Sequence, residues 1–419
     1  MNSNKISLIY QDETGRLYEE PELQAIGMNG LQAEIAGDLW LDLPAGGELV
    51  ALPGRLPTGY DSNSDSIQVV EASPGQKISA VAAILPVGYT RKLLPGYEMD
   101  LSLELPLFGY TAAGSAGGRI KVAAVKTDAG LKWNPSFYNT PDLPQLIARK
   151  RKKSPGNRIL EQLAKCALEY HCLTAQNIFY ERWEAGIPVS PRCNAGCLGC
   201  ISKQSAECCP APQSRIQFVP STREIVELMV EHLKLASEGI VSFGQGCEGE
   251  PSLESELLAN AIQAVREKTS QGTININTNA GDSEGIRKLV NAGLDSIRIS
   301  LFSAVTENYN WYHRPNGYGL NDVKVSAKYA ADHGVAVAIN YLFFPGFSNQ
   351  SKETTALYDF IATTGVKQVQ IRNLNLDPEK LAEKIDNQEL PGVDDWLADL
   401  KSKFPGLMIG NYTQPKIKD

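Results

Sequence analysis

Cys193-Asn194-Ala195-Gly196-Cys197-Leu198-Gly199-Cys200 follows closely on Ile187-Pro188-Val189-Ser190, a short apolar stretch of the kind that forms a buried strand. Three thiolates spaced C-x3-C-x2-C on one loop can fold around one face of a metal centre, and the small residues Ala195 and Gly196 let the backbone curl tightly between them. Iron–sulfur clusters are held by thiolates, so three protein ligands leave one position of a four-iron cluster for an outside molecule. All eight cysteines lie between Cys166 and Cys247. A disulfide framework suits a small secreted domain and would spread through it. One dense window in a long chain reads as metal chemistry in a reducing compartment.

Downstream of the loop, strands and helices alternate. Ile187–Ser190, Ile240–Phe243, Thr273–Thr278, Ser296–Leu301, Val335–Leu342 and Gln368–Asn373 read as strands. Ser221-Thr222-Arg223-Glu224 is a capping box opening the first intervening helix. Six strands linked by crossover helices predict an α/β fold with a parallel sheet and right-handed connections. Six units are too few for a closed eight-stranded barrel, so a partial (β/α)6 barrel is expected, with its working face at the C-terminal strand ends.

Upstream of the loop the character changes. Lys5–Tyr10, Glu48–Leu52, Ile67–Glu71, Ile78–Leu85, Asp100–Leu105 and Arg119–Val125 read as strands separated by Gly- and Pro-rich turns. The run Arg149-Lys150-Arg151-Lys152-Lys153 reads as a solvated charge run at a domain boundary. One long helix is expected from Pro155 to Trp183. Its Cys166 and Cys172, six positions apart, would point about 120° away from each other and pack as small apolar residues. The expected division is a β-rich domain over 1–148, a basic linker and helix over 149–185, the barrel over 186–380, and a helical tail over 381–419.

With 42% hydrophobic and 21% charged residues, the chain of 419 residues is ordinary globular material for two or three domains. Acidic residues outnumber basic ones 48 to 40, which gives no global electrostatic reason to bind nucleic acid. The start of the chain lacks a signal-peptide core, and the most apolar stretch, Ile78 to Tyr89, is broken by Pro86 and too short to span a bilayer. A cytoplasmic protein with no membrane partner is expected.

The cysteine loop within a six-fold βα array resembles the radical S-adenosylmethionine (SAM) superfamily. That resemblance implies that Cys193, Cys197 and Cys200 hold a [4Fe–4S] cluster whose fourth iron is chelated by SAM. It further implies reductive cleavage of SAM to a 5′-deoxyadenosyl radical that abstracts hydrogen from a substrate, with an electron donor such as flavodoxin or ferredoxin. Gly249-Glu250-Pro251 is similar to the end of the family's GGEP segment, which binds the SAM amino group, with Glu248 replacing the first glycine. Asn277-Thr278-Asn279 is similar to the family's TNG ending. Ser300 falls in a stretch similar to ISLD, where Phe302 stands in place of the usual acid. Asn340 and Arg372 are expected to point into the same mouth, and His313 with Arg314 either to line its substrate end or to sit on a solvated loop.

Three other readings stand beside this one. Cys197, Cys200, Cys208 and Cys209 would be the ligands of a structural zinc site. The substrate would be RNA or a peptide held by the first domain and by the Arg149–Lys153 run, whose cations would grip phosphate, or else a small metabolite in the barrel mouth. The chain would alternatively be a non-catalytic metal-binding scaffold. Nucleic acid is the less favoured partner. The spare cysteines, with Cys166 and Cys172 diverging, predict a single cluster.

Overall fold

The computed structural model describes residues 5–416 apart from 38–39, 73–75, 102, 129, 131, 204–211 and 387–388. Two compact units divide the chain: 1–130 with 343–354 and 371–405, and 131–342 with 355–370 and 406–419. Residues 371–405 therefore count with the amino-terminal residues, a division no linear reading of the sequence suggests.

The parallel sheet contains seven strands among the described residues: β1 (Arg182–Gly186), β2 (Ser237–Phe243), β3 (Thr273–Thr278), β4 (Ser296–Leu301), β5 (Ala336–Phe343), β6 (Gln368–Asn373) and β7 (Met408–Ile409), in that spatial order. Helices such as Thr222–Leu235, Ser255–Arg266, Ser283–Asn291 and Leu320–Asp332 intervene along the chain, as a partial barrel of βα units requires. Odd and even residues of each strand face opposite ways. On β4, Ile297, Ile299 and Leu301 are fully buried on one face, while Ser296, Arg298 and Ser300 share the other.

That second face carries a polar floor. Arg298 Nη2 donates to Glu184 Oε1 at 3.0 Å, Nη1 to Gln370 Oε1 at 3.2 Å, and Nε to Asn277 Oδ1 at 2.5 Å. Glu184 also accepts from the Ser242 and Thr413 hydroxyls, each at 2.6 Å. Strands β1, β2, β3, β4 and β6 are thus tied by one buried network. A buried ion pair satisfied on all sides specifies register more than it adds stability.

Several expected boundaries move. The first strand ends at Gly186 instead of spanning 187–190, because the Val189 and Ser190 N–H groups are taken by the Glu248 carboxylate rather than by a neighbouring strand. The long helix expected over 155–183 is two helices, Arg158–Leu168 and Leu173–Tyr180, broken where His171 adopts φ 50°. The cations of 149–153 end a separate helix, Leu143–Lys153, where they complement its dipole. Lys150 is buried between Glu181 and Glu231, both at 3.1 Å; Lys153 also pairs with Glu231, and Arg151 pairs with Glu161. The two-residue β7 is too short to read from sequence.

The other unit is β-rich, with a sheet of twelve strands among the described residues whose pairings are antiparallel. Its longest strand, Leu17–Asn29, is masked in the sequence by Glu19-Glu20-Pro21-Glu22. The strand expected from Asp100 does not start there: pairing ends at Met99, and the Asp100 and Leu101 N–H groups turn to the Gly54 carbonyl. Arg55 and Asp377 form a buried ion pair at 3.0 Å within this unit.

Candidate functional site

The cysteine loop is fixed by backbone. Gly196 N–H donates to His313 O at 3.1 Å, Leu198 N–H to Tyr312 O at 3.0 Å and Asn316 N–H to Asn194 O at 2.9 Å, with an antiparallel bridge between Ala195 and Pro315. Residues 194–198 are thereby zipped against 312–316. Cys193 is exposed, while Cys197 and Cys200 are half-buried. Burial pushes the Cys197 thiol far above its ordinary value, and neighbouring Cys193 and Cys200 add to the push, so the three sulfurs feel one another's charge. The Arg215 guanidinium lies 3.9 Å from Cys200 Sγ.

The segment after β2 leans on the same loop. Gly249 N–H donates to Ser190 O and Glu250 N–H to Arg192 O, both at 2.7 Å. A Cβ on Gly249 would stand 1.9 Å from the Arg192 carbonyl oxygen, so only glycine permits this approach. Gly244, at φ 79°, lies equally close to the Asn277 carbonyl.

Glu248, in the place of a family glycine, is a structural knot. Its buried carboxylate accepts from four backbone N–H groups: Val189 (2.8 Å), Ser190 (3.0 Å), Gly244 (2.5 Å) and Gln245 (3.1 Å). It ties the end of the first strand segment to the end of the second. Burial pushes its carboxyl up to about 7, against the pull of the four donors. Glu250 is also engaged. It accepts from Ser252 N–H (3.0 Å), the Thr278 hydroxyl (2.5 Å) and Asn279 N–H (2.8 Å), and burial raises its pKa. The sequence treats Glu250 as a free acceptor; the fold already uses it to join the turn to the end of β3.

The remaining expected residues fall in layers. Asn279 Nδ2 donates to Asn194 Oδ1 at 2.7 Å, which brings it to the cysteine loop. Ser300 and Asn340 sit opposite each other in register, both half-buried, at the C-terminal ends of β4 and β5. Asn277 pairs in register with Arg298, which pairs with Ala338, one layer lower in the polar floor. Pro251 is buried at the start of a 3-10 turn, and Arg372 is half-buried on β6. His313 and Arg314 separate: His313 is 1% exposed behind the loop, while Arg314 faces solvent. Cys208 and Cys209 lie outside the described residues.

Cys166, Cys172 and Cys247 form a second group. The helix break turns Cys172 into the cap of the helix Leu173–Tyr180, and its N–H donates to Cys166 O at 3.0 Å. The expected divergence of Cys166 and Cys172 is therefore wrong. Both line a cavity of about 180 Å³ with Cys247 and Gln213. The neighbouring thiols shift one another: Cys247 lowers the pKa of Cys166, and Cys166 together with burial raises that of Cys247.

Residues 187–358 match the family model of the Radical SAM superfamily. The chain carries a radical SAM domain over these residues. Its cofactors are a [4Fe–4S] cluster and SAM. Among solved structures, methylornithine synthase PylB is 18% identical with a TM-score of 0.39, over 64% of this chain and 74% of that one. The Streptococcus suis protein SuiB, bound to its precursor peptide SuiA, is 14% identical with a TM-score of 0.39, over 67% and 62%. A radical SAM methyltransferase from Sphaerobacter thermophilus is 13% identical with a TM-score of 0.40, over 55% and 65%. Such distant likenesses say nothing of this chain's substrate. No curated protein matches the chain.

The radical SAM domain presents a donor set that suits these groups. No three His, Cys, Asp or Glu side chains among the described residues close on one point as the ligands of a single ion would. A four-iron cluster binds each thiolate to a different iron and so needs its sulfurs further apart. Cys193, Cys197 and Cys200, on a backbone-clamped loop beside a guanidinium, are thiol donors of the kind such a cluster takes. Among the described residues, no helix is long and apolar enough to cross a membrane.

Proposed function

We propose that the domain is a catalytic radical SAM enzyme in which Cys193, Cys197 and Cys200 hold the cluster. The observation that carries this reading is the double clamp on the loop, by 312–316 on one side and by Gly249 and Glu250 on the other. When bound, the two cofactors supply a 5′-deoxyadenosyl radical that removes a hydrogen atom from substrate. The chain's own residues bind and orient. Gly249–Pro251 offers acceptors to the SAM ammonium, a role that favours a carboxylate beside open carbonyls. Asn279, Ser300 and Asn340 face SAM or substrate at the strand ends. Asn277 acts from beneath, through the Arg298 network. Arg372 is assigned to the same end of its strand.

The substrate is an organic molecule seated at the C-terminal strand ends, and the electron donor is of the flavodoxin or ferredoxin class. RNA is disfavoured because Lys150, Arg151 and Lys153 of the basic run are already ion-paired. The test is anaerobic reconstitution of the full chain followed by reduction with dithionite. Iron and sulfide should bind, and SAM should be cleaved to methionine and 5′-deoxyadenosine. Retention of a full cluster in the triple Cys→Ala variant would refute the ligand assignment.

A further inference from the structure

His313 ends the helix Thr306–His313, and Arg314 at φ 46° turns the chain back so that 312–316 can meet the cysteine loop. The ring has two polar neighbours. Phe302 N–H points at Nε2 from 3.2 Å, and Cys197 Sγ lies 3.4 Å from Nδ1. A backbone N–H can only donate, so Nε2 is the acceptor and the proton of the neutral ring sits on Nδ1. That leaves Nδ1–H aimed at the Cys197 sulfur. The ring is held in this pose by Tyr309, 4.5 Å away between centroids, and by Tyr312 edge-on at 5.0 Å. In the free thiol, Cys197 Sγ also reaches His313 O at 3.7 Å. That bond needs the thiol proton, which a metal-bound thiolate lacks. The Nδ1–H bond survives the change and strengthens with charge on sulfur.

We infer that His313 is a positioning residue that donates Nδ1–H to the Cys197 thiolate and raises the reduction potential of the cluster. Each added electron increases negative charge on the ligating sulfurs, and a fixed donor favours that state. Hydrogen bonds to sulfur are among the determinants of cluster potential, and their effect grows in a buried, low-dielectric site. The Phe302 backbone acts one step behind by fixing the tautomer. The inference rests on the reading that Cys197 is a cluster ligand.

The test uses the full chain, reconstituted anaerobically, with the midpoint potential followed by EPR during a redox titration. His313→Phe keeps a ring of similar size and removes the donor. It should retain about four irons per chain and lower the potential by about 59 mV, a tenfold change in the one-electron equilibrium. His313→Asn restores an N–H near the position of Nδ1 and should recover most of that shift. An unchanged potential in His313→Phe with its iron intact overturns the inference and leaves the ligand assignment standing. If wild-type protein takes up no iron, the ligand assignment fails first and the inference goes with it. If His313→Phe alone takes up none, wild-type protein with isotope-labelled histidine decides. The reduced cluster should show a nitrogen coupling that tracks the label, and its absence overturns the inference.

Discussion

Cys193, Cys197 and Cys200 sit on a loop whose backbone is clamped from two sides. Cys166, Cys172 and Cys247 instead come from a helix, a helix cap and a post-strand loop, and meet as side chains around a cavity of about 180 Å³. The first group is open to an incoming cofactor at Cys193; in the second, Cys166 and Cys247 are buried. The thiol count is the same, but the surroundings differ. In the first, backbone bonds hold the loop from two sides and the Arg215 guanidinium lies 3.9 Å from Cys200 Sγ. In the second, the apolar side chains of Leu163, Ala175 and Ile201 share the lining with Gln213 and Gln245.

The largest effect should be all-or-none. Replacing Cys193, Cys197 or Cys200 by Ala should abolish the visible thiolate-to-iron absorbance of reconstituted protein, while the double variant Cys166→Ala/Cys247→Ala should keep about four irons per chain. A halved iron count in the double variant would erase the distinction between the groups.

Next comes the carboxylate that organises the clamp. Glu248→Ala leaves four backbone N–H groups without their acceptor, and each buried orphan costs about 1–3 kcal/mol. A loss of at least about 3 kcal/mol in urea unfolding is expected. A loss under about 1 kcal/mol would mean that the knot is not holding the loop.

Glu250 sharpens the contrast at the cofactor itself. Glu250→Ala should weaken SAM binding by roughly ten- to hundredfold while leaving the iron in place, since a charged hydrogen bond contributes about 1.5–3 kcal/mol. Unchanged affinity by calorimetry would remove Glu250 from the SAM site and leave it as the brace between Ser252, Thr278 and Asn279.

The smallest effect concerns a residue outside both groups. His232 is buried with Nε2 donating to Trp183 O at 2.7 Å, and burial brings its pKa down to about 4. The folded state therefore holds His232 neutral while the unfolded chain takes up a proton below about pH 6.5. Stability from this residue is complete above that value and is lost as pH falls towards 4. His232→Gln keeps a donor and cannot charge. Relative to wild type, it should gain at most about 1.4 kcal/mol per pH unit over that window. A pH-independent difference between the two urea curves would show that His232 charges in place.

The barrel was legible because its signals are local. Ser296–Leu301 and Thr273–Thr278 alternate apolar and polar residues over a strand's length, and the capping box at Ser221 forms as the spacing predicts. The cysteine triplet was legible because its spacing is local too. Glu248 was visible only as an oddity in a motif, since its four partners lie on two strand ends that no spacing connects. The partnership of 312–316 with the loop left no sequence signal, because backbone bonds are indifferent to side chains. Cys166 and Cys172 were misread because a helix break at His171 depends on tertiary packing rather than on a Gly or Pro.

The zipper between 194–198 and 312–316 also sets an order of events in the making of the protein. Cys197 and its partner His313 are 116 residues apart in the chain. At a synthesis rate of about 5–20 residues per second, the loop waits roughly 6–25 s after Cys197 is made before its backbone partners exist. During that interval the three thiols hang on an unbraced tether. Iron delivered to the nascent chain meets ligands without a socket, so productive loading belongs after release of residue 316. A cell making this protein has reason to keep iron insertion downstream of translation.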